Sequence, residues 1–124
     1  MRPGSNRHGM RQADIAWALR NSLPSGRVIT ECAVLTDIGV RVPDIAWASA
    51  EFLATELENT PFTRAPEICV EVRSASNSER EITEKVRAYL AAGAVEVWVA
   101  DEAGGANIHS KQGELATSIY GVVL

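Results

Sequence analysis

The stretch from Glu67 to Ala100, EICVEVRSASNSEREITEKVRAYLAAGAVEVWVA, decides the fold. Its opening residues alternate, with Ile68, Val70 and Val72 on one side and Glu67, Cys69, Glu71 and Arg73 on the other, which is the period-2 signature of a strand. The polar run from Ser74 to Asn77 ends that pattern. Ser78 followed by Glu81 forms S-x-x-E, a reciprocal cap for the first turn of a helix, and the spacing predicts a helix to about Ala92. Ile82, Val86, Tyr89 and Leu90 make its apolar face, and Gly93 is its stop. Val95 to Ala100 then reads as a nearly continuous buried strand. A strand, a helix and a second buried strand make a crossover unit, so the chain belongs to the α/β class.

Working outward, Ile15, Leu19 and Leu23 recur every fourth residue and predict an amphipathic helix from about His8 to Leu23, closed by Pro24, Ser25 and Gly26. Residues 1 to 7 read as a loose lead-in. Two runs rich in Val, Ile and Trp, about Arg27 to Thr36 and Val40 to Ala48, flank Asp37, Ile38 and Gly39 and predict a β-hairpin. Glu51 to Glu58 suits a short helical turn, followed by a loop to Pro66, and a weaker strand is expected near Ala106 to Ser110. The order of core elements is α-β-β-β-α-β, a mixed sheet flanked by helices.

At 124 residues, with 46% hydrophobic and 23% charged side chains, the chain is expected to be one domain, residues 1–124, with one core. No apolar run approaches the roughly 18 residues needed to span a bilayer, and no secretory signal pattern is visible, so no membrane partner and a cytoplasmic location are expected. Cys32 and Cys69 lie inside apolar runs and read as buried, unpaired thiols. Two cysteines exclude a cysteine zinc cluster. A net charge of −4 argues against a broadly basic, phosphate-binding surface, although carboxylates that hold a cation lower the formal charge while the ion restores positive potential locally.

Two carboxylates stand out. Alternation puts Asp44 on the same side of its strand as Val42, Ala46 and Ala48, and Glu71 lies in the middle of ICVEV. A carboxylate inside a strand must find a cation, a donor or a raised pKa. Two on neighbouring strands invite a shared Mg²⁺ or Mn²⁺, ions that take oxygen donors. The alternatives are that Asp44 satisfies loop backbone and that Glu71 pairs with Arg73 or Lys85 as a structural ion pair. Lys85 follows Glu71 by fourteen positions, at the edge of the helix's apolar face, where it can also pair with Glu81. His8 and His109 read as surface histidines, and Trp17, Trp47 and Trp98 as core or interface anchors.

The segments GVRVPDIAWAS, PEICVEVRSAS and EREITEKVRAYLAAGAVEVWVAD together resemble the restriction-endonuclease-like branch, a domain-of-unknown-function family, of the PD-(D/E)XK nuclease superfamily. The shared pattern is a strand with P-D, a strand with V-E-V-x-S-x-S, a helix with K-x-x-x-Y-x-x-A-G and a strand ending W-x-x-D, over residues 8 to 101. The resemblance implies a restriction-endonuclease-like core and a divalent metal, Mg²⁺ or Mn²⁺, held by Asp44 and Glu71 with the backbone carbonyl of Val72 as third ligand. Lys85 would stand in for the superfamily lysine, orienting water or stabilising charge on phosphorus. Glu31 and Glu81 are weaker candidates for a second ligand or water contact. Arg73 occupies the usual lysine position, and would either assist with phosphate or pair with Glu71 and occlude the metal. The implied function is a metal-dependent endonuclease acting on DNA, with a homodimer as the expected assembly. Two other classes compete: a catalytically silent nuclease fold serving as a dimerising or nucleic-acid-binding module, and a plain interaction protein using an edge strand or a tryptophan.

Overall fold

The computed structural model describes residues 5–123. Helix α1 spans Asn6–Ser22, opened by the Ser5 side chain accepting from the His8 backbone N–H, so Ser5 is its cap and residues 6 and 7 are helical, not part of a loose lead-in. The rest of that expected lead-in, residues 1–4, lies outside the described residues. Ile15 and Leu19, one turn apart, are fully buried. The chain then turns tightly at Gly26, where an added Cβ would fall 2.4 Å from the Ala48 carbonyl oxygen and 2.5 Å from the Trp47 ring, so only glycine fits.

The predicted hairpin forms, but each of its two long strands is broken. Strands β1 (Arg27–Thr30) and β4 (Ile45–Ala48) pair antiparallel within the main sheet, while β2 (Val34–Thr36) and β3 (Gly39–Arg41) pair in a separate two-stranded arm. The register does not slip between them: Thr30 faces Ile45, the Glu31 N–H reaches the Asp44 carbonyl at 3.2 Å, and Val34 faces Arg41 in the same offset. Two features cause the break. Glu31 takes φ +53°, and Pro43 has no N–H to give to a ladder.

After α2 (Ala50–Glu56), strand β5 (Ile68–Val72) joins β4 antiparallel, and α3 (Glu79–Ala91) crosses to β6 (Glu96–Ala100), which lies parallel to β5. The complete capping box at Ser78 and Glu81 and Gly93 at φ +115° bound α3 as the sequence predicts. Strand β7 (Ala106–Ser110) continues the sheet and is followed by β8 (Gly113–Leu115), which sequence reasoning missed. The six-stranded order is β1-β4-β5-β6-β7-β8, mixed in direction, as the α/β reading requires.

Every residue of β4, β5 and β6 is buried, because helices cover both faces. Ile15 and Leu19 of α1 pack with Ile45, Trp47, Ile68, Val70 and Trp98 on one face. Tyr89 of α3, with Val34, Phe52 and Phe62, covers Ala46, Cys69 and Val97 on the other. Each fully buried large side chain contributes about 1.5–3 kcal/mol. Trp47 and Trp98 are the anticipated core anchors, whereas Trp17 is 67% exposed. Cys32 and Cys69 are buried free thiols, and burial pushes Cys32 up to about 11, far from the thiolate form. No described helix is long and apolar enough to cross a membrane.

Candidate functional site

The carboxyl end of β5 meets the break in the hairpin, and the chemistry gathers there. The β4–β5 ladder ends at Ile45 opposite Val70, so one step further on Asp44 opposes Glu71. Pro43 fixes the approach of the chain, and the freed Asp44 carboxylate turns to accept from the Val72 N–H at 2.7 Å. Glu71 shares the face of Cys69, against α3. From α3, Tyr89 donates its hydroxyl to Glu71 Oε2 at 2.7 Å, and Lys85, one turn earlier, brings Nζ to 3.7 Å from Glu71 Oε1.

Asp44, Glu71 and Lys85 line one cleft of about 660 Å³, with Tyr89 behind Glu71. Asp44, Glu71, Val72 and Lys85 form one wall, and the polar loop from Ser74 to Asn77 forms another. Only 5% of Glu71 is exposed. Burial pushes its carboxyl up to about 7, opposed by the Lys85 ammonium and reinforced by the Asp44 charge. Tyr89 is also raised, by burial and then by the neighbouring Glu71 charge, so its hydroxyl keeps its proton and remains a donor.

His8 also lines this cleft, and sequence reasoning had put it on the surface. Its Nε2 lies 3.1 Å from the Val72 carbonyl oxygen and 3.5 Å from Asp44 Oδ2. The signal in the sequence was Ser5, three residues earlier: that cap starts the helix ahead of His8 and sets the ring on its first turn. Arg11 then holds α1 over the β6–β7 turn by donating to the carbonyls of Asp101, Gly104 and Gly105.

The weaker candidates are elsewhere. Glu31 is exposed at the hairpin break, tied to Asp44 only through its backbone. Glu81 is spent on the α3 capping box and faces an adjoining depression with Arg41 and Arg80. Arg73 pairs with Glu79, so it does not occlude Glu71. His109 sits in β7 opposite Glu114, away from the cleft. Among the described residues, no three His, Cys, Asp or Glu side chains assemble a set able to hold an ion alone. A metal here would therefore need backbone or solvent oxygen as well. The donors present, two carboxylates and the Val72 carbonyl, are hard oxygens suited to Mg²⁺ or Mn²⁺.

No curated protein matches the chain. A solved structure described as "a putative nuclease belonging to DUF820 from Anabaena variabilis" superposes with a TM-score of 0.73 at 15% identity, over 97% of this chain and 76% of that one. A second, a DrdV–DNA complex, superposes with a TM-score of 0.51 at 20% identity, over 93% of this chain but only 10% of that much larger one. At such identities the likeness is one of fold, and the fold is restriction-endonuclease-like. Residues 1–118 match the sequence profile of Uma2, described as "Putative restriction endonuclease", and with nearly the whole length matched the chain belongs to that family.

Proposed function

We propose that the chain is a metal-dependent endonuclease that hydrolyses phosphodiester bonds in DNA. The observation that carries this reading is the convergence of Asp44, Glu71, Lys85 and the Val72 carbonyl on one cleft at the carboxyl end of β5. Family membership and the nuclease fold support the reaction class, and a fold neighbour solved as a DNA complex supports the substrate.

Asp44 and Glu71 would hold a Mg²⁺ or Mn²⁺ ion, with the Val72 carbonyl as an additional ligand. When bound, the ion supplies Lewis acidity and makes water a stronger nucleophile near neutral pH. The protein's own groups do the rest. Tyr89 fixes the Glu71 carboxylate by its hydroxyl, and the Val72 N–H fixes that of Asp44, so both are oriented before substrate arrives. Lys85 presents an ammonium beside Glu71, where it neutralises charge gathering on the phosphoryl oxygens as a water oxygen bonds to phosphorus and a P–O ester bond breaks. A plasmid-nicking assay with Mg²⁺ and with Mn²⁺ tests the reading. Ion-dependent cleavage is the expected result, and a protein inert on both duplex and single-stranded DNA with either ion overturns it in favour of a silent fold.

A further inference from the structure

Beside the cleft, between the hairpin arm and the first turns of α3, lies a second depression of about 320 Å³. Arg41 of β3 and Arg80 of α3 both line it, and Lys85 lines this depression and the cleft alike. The paired bonds from Arg87 to Asp37 hold the arm against α3, so the two arginines keep their places around one space.

These two arginines are spent on nothing else. Arg64, Arg73, Lys85 and Arg87 each pair with a carboxylate, whereas among the described residues Arg41 and Arg80 pair with none. Arg41 donates only to the carbonyl of its neighbour Val40, at 3.0 Å. Glu81 and Glu84 also line the depression, but Glu81 closes the α3 capping box, and the three cations outnumber the two carboxylates. Like charges around one space repel, and an anion seated among them relieves that repulsion. The cleft also opens, through Ser74, Ala75 and Glu102, into a third depression, where the balance is different. There Arg7 and Arg73 meet Asp101 and Glu102, and Arg73 is already paired with Glu79. The cationic excess at the margin of the cleft therefore lies on the arm side.

We propose that the depression of Arg41 and Arg80 seats a phosphate of the DNA strand being cut, next along the backbone from the phosphate at the cleft. This rests on the endonuclease reading given above and names substrate-binding residues for it. A guanidinium presents paired N–H donors to two phosphate oxygens, which fixes the group in orientation as well as place. Lys85, common to both spaces, stands between the two phosphates. Contacts to the backbone set register without reading bases, so this grip decides which bond along the strand meets Asp44 and Glu71 and adds no sequence preference.

The test titrates a fluorescein-labelled DNA duplex with the full chain over a range of salt concentrations, with Ca²⁺ and with no divalent ion. Single-turnover cleavage with Mg²⁺ or Mn²⁺ is followed in parallel. The double variant Arg41→Ala, Arg80→Ala should bind at least ~10-fold more weakly, and the slope of log affinity against log salt should shrink by about one, for the phosphate no longer neutralised. The protein concentration that half-saturates cleavage should rise by the same factor while the rate at saturation holds, a split that damage to the metal site would not give. Arg41→Lys with Arg80→Lys keeps both charges and should recover most of the slope. Arg20→Ala, which removes an exposed arginine outside all three depressions, should leave affinity and slope as in wild type. Arg80→Ala alone, at an exposed position, should move both readings in the same direction and serves where the double variant fails to fold. Wild-type affinity and slope in the folded variants overturn the phosphate seat and leave the proposed function standing. A wild-type protein that cuts nothing, yet binds DNA through Arg41 and Arg80, overturns the endonuclease reading and keeps the depression as a DNA-binding site. Absence of DNA binding by the wild type under both conditions overturns the two together.

Discussion

Glu71 on β5 and Glu96 on β6 are buried carboxylates on neighbouring parallel strands, and the fold treats them in opposite ways. Glu96 is fully buried at the amino end of its strand. Its Oε1 accepts from Trp98 Nε1 at 2.9 Å and from the Ser118 hydroxyl at 2.8 Å, and its Oε2 from the Ile119 N–H at 2.7 Å. These bonds draw the C-terminal segment onto the sheet. Glu71, at the carboxyl end, accepts from one hydroxyl, sees an ammonium at 3.7 Å and opposes a second carboxylate across an open cleft. Its carboxyl is pushed up to about 7, because burial is not met by enough donors. Burial alone therefore does not mark a functional acid. Burial beside a like charge, with space for a cation, is what the proposed metal site adds.

The largest effect that separates the two is catalytic. Asp44→Ala and Glu71→Ala should abolish ion-dependent DNA cleavage, and Lys85→Ala should slow it by roughly 10²–10³ with the ion still bound, in line with loss of one transition-state donor. Glu96→Gln is expected to leave cleavage intact in the folded protein, and a plasmid assay over all four variants checks the contrast. Loss of cleavage in folded Glu96→Gln would collapse the distinction.

Stability reverses the order. Glu96→Ala strands an indole N–H, a hydroxyl and a backbone N–H, each costing about 1–3 kcal/mol when buried, so urea unfolding should show a loss on the order of 3–5 kcal/mol. Glu71→Gln should be neutral or stabilising above pH 7, since it removes a strained charge and keeps an acceptor for Tyr89.

The pH dependence sharpens the same point. A carboxyl raised from 4.5 to about 7 in the folded state binds more protons than the unfolded chain within that window. Its stabilising contribution is full below about pH 4.5 and is lost as pH rises through about 7, which amounts to roughly 3 kcal/mol at 1.36 kcal/mol per pKa unit. Thermal melts of metal-free protein from pH 4.5 to 8 should show this fall, and Glu71→Gln should flatten it. The smallest effect belongs to Tyr89→Phe, which removes one hydrogen bond to Glu71. A loss of roughly 1 kcal/mol is expected, with the acidic limb of the cleavage profile moved to higher pH. An unmoved limb would detach Tyr89 from the tuning of Glu71.

The sequence carried these sites unequally. Lys85, by spacing alone an edge residue of its helix, was singled out only by the family resemblance, whereas the juxtaposition of Asp44 and Glu71 was legible because period-2 spacing fixes which side chains share a face of a strand. Ser78, Glu81 and Gly93 bounded α3 for the same local reason. Glu96 was not legible, because its saturation depends on Ser118 and Ile119, more than twenty residues away. His8 was missed because its neighbours, Asp44 and the Val72 carbonyl, come from the far side of the chain. The hairpin's division into arm and sheet was hidden because each run stays apolar through the break. Strand β8 escaped because its turn, Lys111 and Gln112, lacks the Asn-Gly or Asp-Gly signal of a tight hairpin.

The unbroken register of that hairpin has a mechanical consequence. Since β1–β4 and β2–β3 share one offset, the arm cannot slide along the sheet without dismantling both ladders. It can only flex at its root, and Asp44 is part of that root. The tip is pinned to α3 by the paired bonds from Arg87 to Asp37, and the flank is stitched to Phe62 through Leu35 and Ala33. The arm is thus a strut fastened at its far end to the helix that carries Lys85 and Tyr89. Asp44 on the hairpin and the side chains of α3 are spaced by one braced triangle, and loosening the Arg87 pin would detune the cleft although neither Arg87 nor Asp37 lines it.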